Sequence, residues 1–164
     1  MKIMKTIKSI LCISLLFGFI SCTDDDSTTS FVDLRAEELS YSLVSQSSAT
    51  TGVVRISGKI KNIGNANFSS TIQQQYAAIY ERTLGTTTET EEIALNFTTM
   101  SAGEETTFFY DRNWDTTIEF QPEFILRIVM DPDITLDGNL NNDDVNFNNH
   151  QIILQGNQIN SLFN

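Results

Sequence analysis

The clearest alternation in the chain lies at residues 52–62, which read GVVRISGKIKN. Apolar or small side chains occupy every second position, at Val54, Ile56, Gly58 and Ile60. The positions between them carry Val53, Arg55, Ser57, Lys59 and Lys61. Successive side chains of a β-strand point to opposite faces, so this pattern predicts a strand with one buried and one solvated face. Such strands are typical of antiparallel sheets.

The sequence on either side of this run also alternates between strand-like segments and turn clusters. Further strands are predicted at residues 31–45, 71–82, 92–99, 106–112, 123–130 and 145–155. Residues 123–130 are apolar on both faces except at Arg127, which places this strand in the middle of a sheet. About seven strands separated by turns predict an all-β antiparallel sandwich over residues 31–155, followed by a frayed C-terminal tail at residues 156–164.

Composition limits the kinds of partner that the protein can have. The 164 residues include 10 Lys and Arg against 21 Asp and Glu, a net charge of −11. This sign excludes nucleic acid as a partner, because nucleic-acid binding depends on basic side chains that neutralise phosphates. Two cysteines and one histidine are too few for a disulfide framework or a histidine-based zinc site.

The first 21 residues have the pattern of a signal sequence. Lys2, Lys5 and Lys8 precede an uncharged, mostly apolar run at residues 9–21. This run is shorter than the roughly 20 residues that a membrane-spanning helix needs. It ends in Phe19-Ile20-Ser21-Cys22, which resembles the lipobox of bacterial lipoproteins. The resemblance implies cleavage before Cys22 and diacylation of its sulfur, so that a lipid anchor on Cys22 holds the protein to a membrane.

Residues 22–30 are predicted to form a disordered acidic tether. Loss of residues 1–21 would remove three lysines and no acidic residue, leaving 7 basic and 21 acidic side chains and a net charge of −14. The acidic triplet Asp24 to Asp26 resembles the export signal of some surface lipoproteins of Gram-negative bacteria. We therefore expect an outer-membrane lipoprotein that is exposed on the cell surface, with a periplasm-facing position as the alternative.

Four segments of the predicted sandwich resemble a known family. They are SGKIKNIGNA at residues 57–66, MSAGEETT at residues 100–107, FILRIVMDPD at residues 124–133 and the Asn- and Asp-rich residues 139–149. Together they resemble CARDB, the bacterial cell-adhesion-related domain, over roughly residues 31–154. Asp137 stands near the place of a glutamate in that family. The resemblance implies an immunoglobulin-like sandwich that works outside the cell, and it carries over no catalytic residue.

These observations favour a non-catalytic envelope lipoprotein that serves as an adhesion or scaffold module for a partner protein or a glycan. The alternative is a carbohydrate-binding accessory lipoprotein of a glycan uptake system. A hydrolase is the third reading, because the many carboxylates could form a catalytic pair in space. His150 is the one histidine, and it is interpreted as an ordinary strand residue.

Two features of the sequence are candidate ligand sites. Trp114 lies among polar residues, where it is either an exposed stacking platform for a sugar or peptide or a cover over one end of the sandwich. Five carboxylates crowd a second region, at Asp131, Asp133, Asp137, Asp143 and Asp144. Oxygen-rich loops suit Ca²⁺, but Asp and Asn also favour turns, so turn chemistry and a calcium site are both open. No other cofactor is expected.

The lipobox makes a direct prediction about Cys22. Replacing it with alanine (Cys22→Ala) removes the sulfur that carries the acyl chains, so the protein should lose its lipid and move to the aqueous phase of a detergent partition. Mass spectrometry of the purified protein checks the loss. An acylated, membrane-bound C22A protein would contradict the assignment.

Overall fold

The computed structural model describes residues 29–163. The predicted signal sequence, Cys22 and most of the tether lie outside this range. The described chain forms nine strands: β1 Leu34–Gln46, β2 Thr51–Asn62, β3 Phe68–Ser69, β4 Gln75–Arg82, β5 Glu89–Asn96, β6 Thr99–Met100, β7 Glu105–Asp115, β8 Glu123–Met130 and β9 Gln151–Gln155. Short 3-10 helices occupy Ile134–Leu136, Phe147–Asn149 and Gly156–Phe163. No helix in the described range is long and apolar enough to cross a membrane.

The strands form an antiparallel sandwich. One sheet has the order β1-β2-β7 and the other the order β5-β4-β8-β9, while β3 and β6 form a two-residue pair. Every neighbouring pair in the sheets is antiparallel. The prediction of an all-β, immunoglobulin-like sandwich is confirmed, and the seven longer strands match the predicted number.

The two strands with the clearest patterns occupy central positions. In β2, Val54, Ile56 and Ile60 are fully buried, as the alternation predicts. In β8, which lies between β4 and β9, Ile125 is fully buried on the face opposite Leu126. The two sheets approach closely at Gly58, where an added Cβ would lie 2.9 Å from Leu126 Cδ1. A residue with no side chain therefore lets the larger Leu126 fill the space between the sheets.

Three predicted segments differ from the structure. Residues 71–74 form a turn with Gln73 at φ 75°, so that β4 starts only at Gln75. Residues 145–150 are a loop with a 3-10 turn, because asparagine side chains there bond to the backbone, and β9 is confined to Gln151–Gln155. The predicted frayed tail is wrong for residues 156–163, since this 3-10 helix buries Ile159 and Phe163 in the core.

The strand registers place several loops at one end of the sandwich, here called the N-terminal end. Leu34 at the start of β1 pairs with Asn62 at the end of β2, and Gln75 pairs with Met130. The N-terminal end therefore comprises residues 29–33, 63–74, 97–104 and 131–150. Hydrogen bonds join these segments, for example from Ser69 N to Asn141 O over 2.9 Å. The opposite end carries residues 47–50, 83–88 and 116–122.

A pair of matched leucine substitutions tests the core. Leu126→Ala removes a fully buried side chain between the sheets and should lower the free energy of unfolding by roughly 2–5 kcal/mol. Leu136→Ala changes a side chain that is 82% exposed and should alter it by no more than about 0.5 kcal/mol. Urea denaturation measures both, and equal effects would contradict the central position of β8.

Candidate binding site at the β8–β9 loop

The loop between β8 and β9 spans residues 131–150, a length of 20 residues. Connections longer than about 12–15 residues are usually functional or disordered. This loop is held by side chains that accept a hydrogen bond from the backbone N–H two residues ahead. These bonds join Asp131 to Asp133, Asp137 to Asn139, Asn139 to Asn141, Asp144 to Asn146 and Asn146 to Asn148. The turn chemistry expected of this region is present, and it gives the loop a defined shape.

Asp144 anchors the loop to the sandwich. Its side chain is fully buried, and its Oδ2 accepts a 2.6 Å hydrogen bond from Leu34 N at the start of β1. His150 Nε2 lies 3.1 Å from the same oxygen, while Oδ1 accepts from Asn146 N over 2.7 Å. Next to it, Val145 N donates to Val32 O over 3.1 Å. The single histidine thus serves as a hydrogen-bond partner of a buried carboxylate. Its interpretation as a strand residue is wrong, because His150 follows the 3-10 helix Phe147–Asn149 and β9 begins at Gln151.

The other aspartates lie in different surroundings. Asp137 accepts hydrogen bonds from Asn142 Nδ2 at 2.8 Å and Gln74 Nε2 at 3.0 Å. These amides, Asn142 first, lower the pKa of the Asp137 carboxyl. Asp131 and Asp133 form an exposed pair, and the carboxyl of Asp131 raises the pKa of Asp133 by hydrogen bonding and repulsion. Within residues 29–163, no group of three or more His, Cys, Asp or Glu side chains is placed to hold a metal ion. The five predicted residues therefore do not come together as one calcium site.

Trp114 is at the opposite end of the sandwich and is only 2% exposed. Its Nε1 donates a 2.9 Å hydrogen bond to Asn160 Oδ1, and its ring lies 6.0 Å from that of Phe124. The stacking-platform interpretation is corrected, because the C-terminal 3-10 helix supplies the bond partner and the indole ring packs beside Phe124 and the guanidinium group of Arg112. The alternative, a tryptophan that covers one end of the sandwich, agrees with the structure.

A cleft of about 480 Å³ opens between residues 131–135 and 147–151. Its apolar lining comes from Ile128, Met130, Ile134 and Phe147. The Phe147 ring is held edge-on to His150, with 5.1 Å between the ring centroids. Asp131 contributes a carboxylate to the same cleft, and Arg127 contributes a guanidinium group that is already paired with Glu89. Because that cation is paired, the cleft can accept a side chain that is apolar along its length and positively charged at its tip.

Charge pairing elsewhere leaves this loop with a negative excess. All seven Lys and Arg side chains of residues 29–163 lie in ion pairs: Arg35–Glu37, Arg55–Asp111, Lys59–Glu38, Lys61–Glu105, Arg82–Glu123, Arg112–Glu81 and Arg127–Glu89. Each of these partners lies outside residues 131–150. The exposed carboxylates of the loop therefore meet no Lys or Arg within this part of the chain, and a cation from outside would relieve the Asp131–Asp133 repulsion.

The loop also exposes large apolar side chains that the sequence analysis did not single out. Leu136 and Leu140 are 82% and 81% exposed, and Val145 and Phe147 also face solvent. They are divided between the two sides of the loop, since Phe147 lines the cleft, whereas Leu140 and Val145 line a separate cavity. The sequence could have indicated this exposure, because four large apolar residues lie inside an Asn- and Asp-rich segment that lacks the alternation of a strand.

Comparisons with known proteins give no family for the chain. No family model and no curated protein matches the chain. One similar solved structure is titled "Crystal structure of putative beta-galactosidase from bacteroides fragilis". The match has a TM-score of 0.37 and 8% identity, and it covers 74% of this chain. The chain spans only 15% of the length of that protein.

Asp144 provides a test of how the loop is held. Asp144→Asn replaces one carboxylate oxygen with an NH₂ group, which cannot accept from Leu34 N or His150. Leaving buried donors unpaired should cost roughly 1–3 kcal/mol of unfolding free energy, measured as a lower urea midpoint. The control Asp133→Asn removes an exposed carboxylate and should change stability by no more than about 0.5 kcal/mol. Equal midpoints for the two variants would contradict the anchoring role.

Proposed function

We propose that this protein is a non-catalytic binding module of the bacterial envelope, held to the outer membrane by a lipid anchor on Cys22. Its partner is a protein that places a basic side chain in the cleft of the β8–β9 loop. The observation that carries this proposal is the cleft itself, which combines an apolar lining with the carboxylate of Asp131. The CARDB resemblance, which implies binding outside the cell, points the same way.

The chemistry of the cleft favours an arginine or lysine of a protein. The aliphatic stem of such a side chain packs on Met130, Ile134 and Phe147, while its charged head meets the Asp131–Asp133 pair. Pockets that receive arginine and aromatic anchors are typical of the hot spots of protein interfaces. The loop is well suited to this role because its turns are already formed, which lowers the entropic cost of binding.

The glycan and hydrolase alternatives have less support from the site. The glycan interpretation relied on an exposed Trp114, whose indole is packed in the core. The hydrolase interpretation needs two carboxyl groups separated by about 5 Å or more. Among the described residues, Asp131 is the one acidic residue that lines the cleft, so the cleft does not supply such a pair.

Photo-crosslinking in the cells that make the protein tests this function. A photoreactive residue at Thr135, which lines the cleft, should give one discrete protein adduct, and the same residue at Thr86 at the opposite end should not. Asp131→Asn with Asp133→Asn should reduce the adduct about tenfold or more, because a hot-spot charge contact is lost.

The matched control is Glu91→Gln with Glu119→Gln, which removes two exposed carboxylates away from the loop. This control should leave the adduct unchanged. Equal adducts at the two crosslinker positions, or an adduct that survives loss of Asp131 and Asp133, would overturn the proposal.

A further inference from the structure

A second cavity, here called the N-terminal groove, lies on the other side of the β8–β9 loop. It has a volume of about 430 Å³ and opens where the described chain begins. Residues 30–32 form one side of it, Leu140 to Val145 form another, and Ala66 contributes from the turn after β2. None of the residues that line the cleft takes part in this groove.

The walls of the groove are fixed by hydrogen bonds. Phe31 N donates to Asn65 Oδ1 over 2.8 Å, and Phe31 O accepts from Asn65 N and Ala66 N. The backbones meet so closely here that a Cβ on Gly64 would lie 2.4 Å from Phe31 O. On the loop side, the bond from Val145 N to Val32 O holds the facing segment. The groove is therefore a preformed feature of the fold.

The lining of the groove is amphipathic. Its apolar side chains are unusually exposed, with Leu140 at 81% and Val145 at 60%. Phe31 lies beside them and is also exposed. Burial of such side chains against another apolar phase would be favourable, at about 25 cal/mol for each Å² of apolar surface.

The polar part of the lining includes the carboxylate of Asp143. This side chain is partly exposed, and within residues 29–163 it forms no ion pair with a Lys or Arg. The Ser30 hydroxyl and the Asn141 amide supply potential donors in the same groove. The groove thus offers an acceptor for a cation, donors for an anion and apolar walls.

We propose that the N-terminal groove binds the headgroup region of a zwitterionic aminophospholipid in the periplasm-facing leaflet of the outer membrane, which is the leaflet that holds the anchor in the periplasm-facing alternative. The ammonium group meets the Asp143 carboxylate, and the phosphodiester accepts from Ser30 and Asn141. The glycerol and first acyl carbons contact Phe31, Leu140 and Val145. This inference rests on the proposed function only through the anchor on Cys22.

The position of the groove relative to the predicted anchor supports a lipid as its occupant. Phe31 is nine residues after Cys22. A chain of that length reaches at most about 30 Å when fully extended. The N-terminal end of the sandwich therefore stays close to the membrane surface. Anionic lipids are disfavoured, because the mature chain would carry a net charge of −14.

The test uses the full-length lipoprotein with a bimane label on Leu140→Cys, reconstituted into neutral vesicles. One set contains phosphatidylcholine alone, and the other contains equal parts of phosphatidylcholine and phosphatidylethanolamine. We expect bimane emission to shift to shorter wavelength, and to shift further in the vesicles with phosphatidylethanolamine. A label on Ile118→Cys at the opposite end should show no shift in either set.

Asp143→Asn provides the variant that isolates headgroup recognition. It should abolish the difference between the two vesicle sets, whereas Glu119→Gln, which removes an exposed carboxylate at the opposite end, should preserve it. An emission shift that is equal in both sets for the unmodified groove, or no shift at all, would overturn the proposal. A response to soluble O-phosphoethanolamine without vesicles would also overturn it, because the source would then be a free metabolite.

Flotation of the same samples separates this inference from the proposed function. Protein that floats with the vesicles but gives no composition-dependent shift overturns only the groove assignment. Protein that does not float overturns the anchor and the groove assignment together. The crosslink at Thr135 reports the cleft independently, since Leu140 and Asp143 do not line it.

Discussion

The structure of the N-terminal end of this sandwich depends on the hydrogen bonds of the buried Asp144 carboxylate. A carboxylate without water needs several donors, and Asp144 obtains them from the start of β1, from its own loop and from His150. Leu34 is 110 residues away from it in the chain. One side chain therefore ties the first strand to the segment before the last strand. The part of the loop before Asp144 and the part after it take their positions from this junction.

Because Asp144 divides the loop, it also separates two cavities of similar size and different chemistry. The cleft lies beside β8 and β9 and combines Ile128 and Ile134 with the carboxylate of Asp131. The N-terminal groove lies beside the start of β1 and combines Leu140 with the carboxylate of Asp143. Neither cavity contains an unpaired Lys or Arg, since every Lys and Arg in residues 29–163 already has a carboxylate partner outside the loop. The ligands that we propose for the cleft and the groove are a basic protein side chain and a lipid ammonium group, respectively.

The central strands could be predicted from the sequence, whereas the role of each aspartate could not. In β2, side-chain hydrophobicity follows the two-residue period of the strand, so the burial of Val54 is visible in the local sequence. In β8, both faces are apolar, which indicates a central strand and the burial of Leu126. The aspartates of the loop look alike in sequence, and the burial of Asp144 depends on a backbone N–H that is distant along the chain. The burial of Trp114 could not be decided from the sequence for the same reason. Its hydrogen-bond partner Asn160 lies in a segment that was predicted to be frayed. The cavities were missed because they arise between segments that are brought together only by the fold.

The C-terminal 3-10 helix determines when the core can close as the chain is made or exported. Ile159 and Phe163 are part of the core, and Asn160 bonds the indole of Trp114. An added Cβ on Gly52 would lie 2.9 Å from Phe163 Cε1, so the last described residues pack directly on β2. A polypeptide leaves a ribosome or a secretion channel with its N-terminus first. All the strands of both sheets have therefore emerged before these residues appear. Until residue 163 has passed through, the core stays open on one side, which favours passage of the chain in an unfolded state.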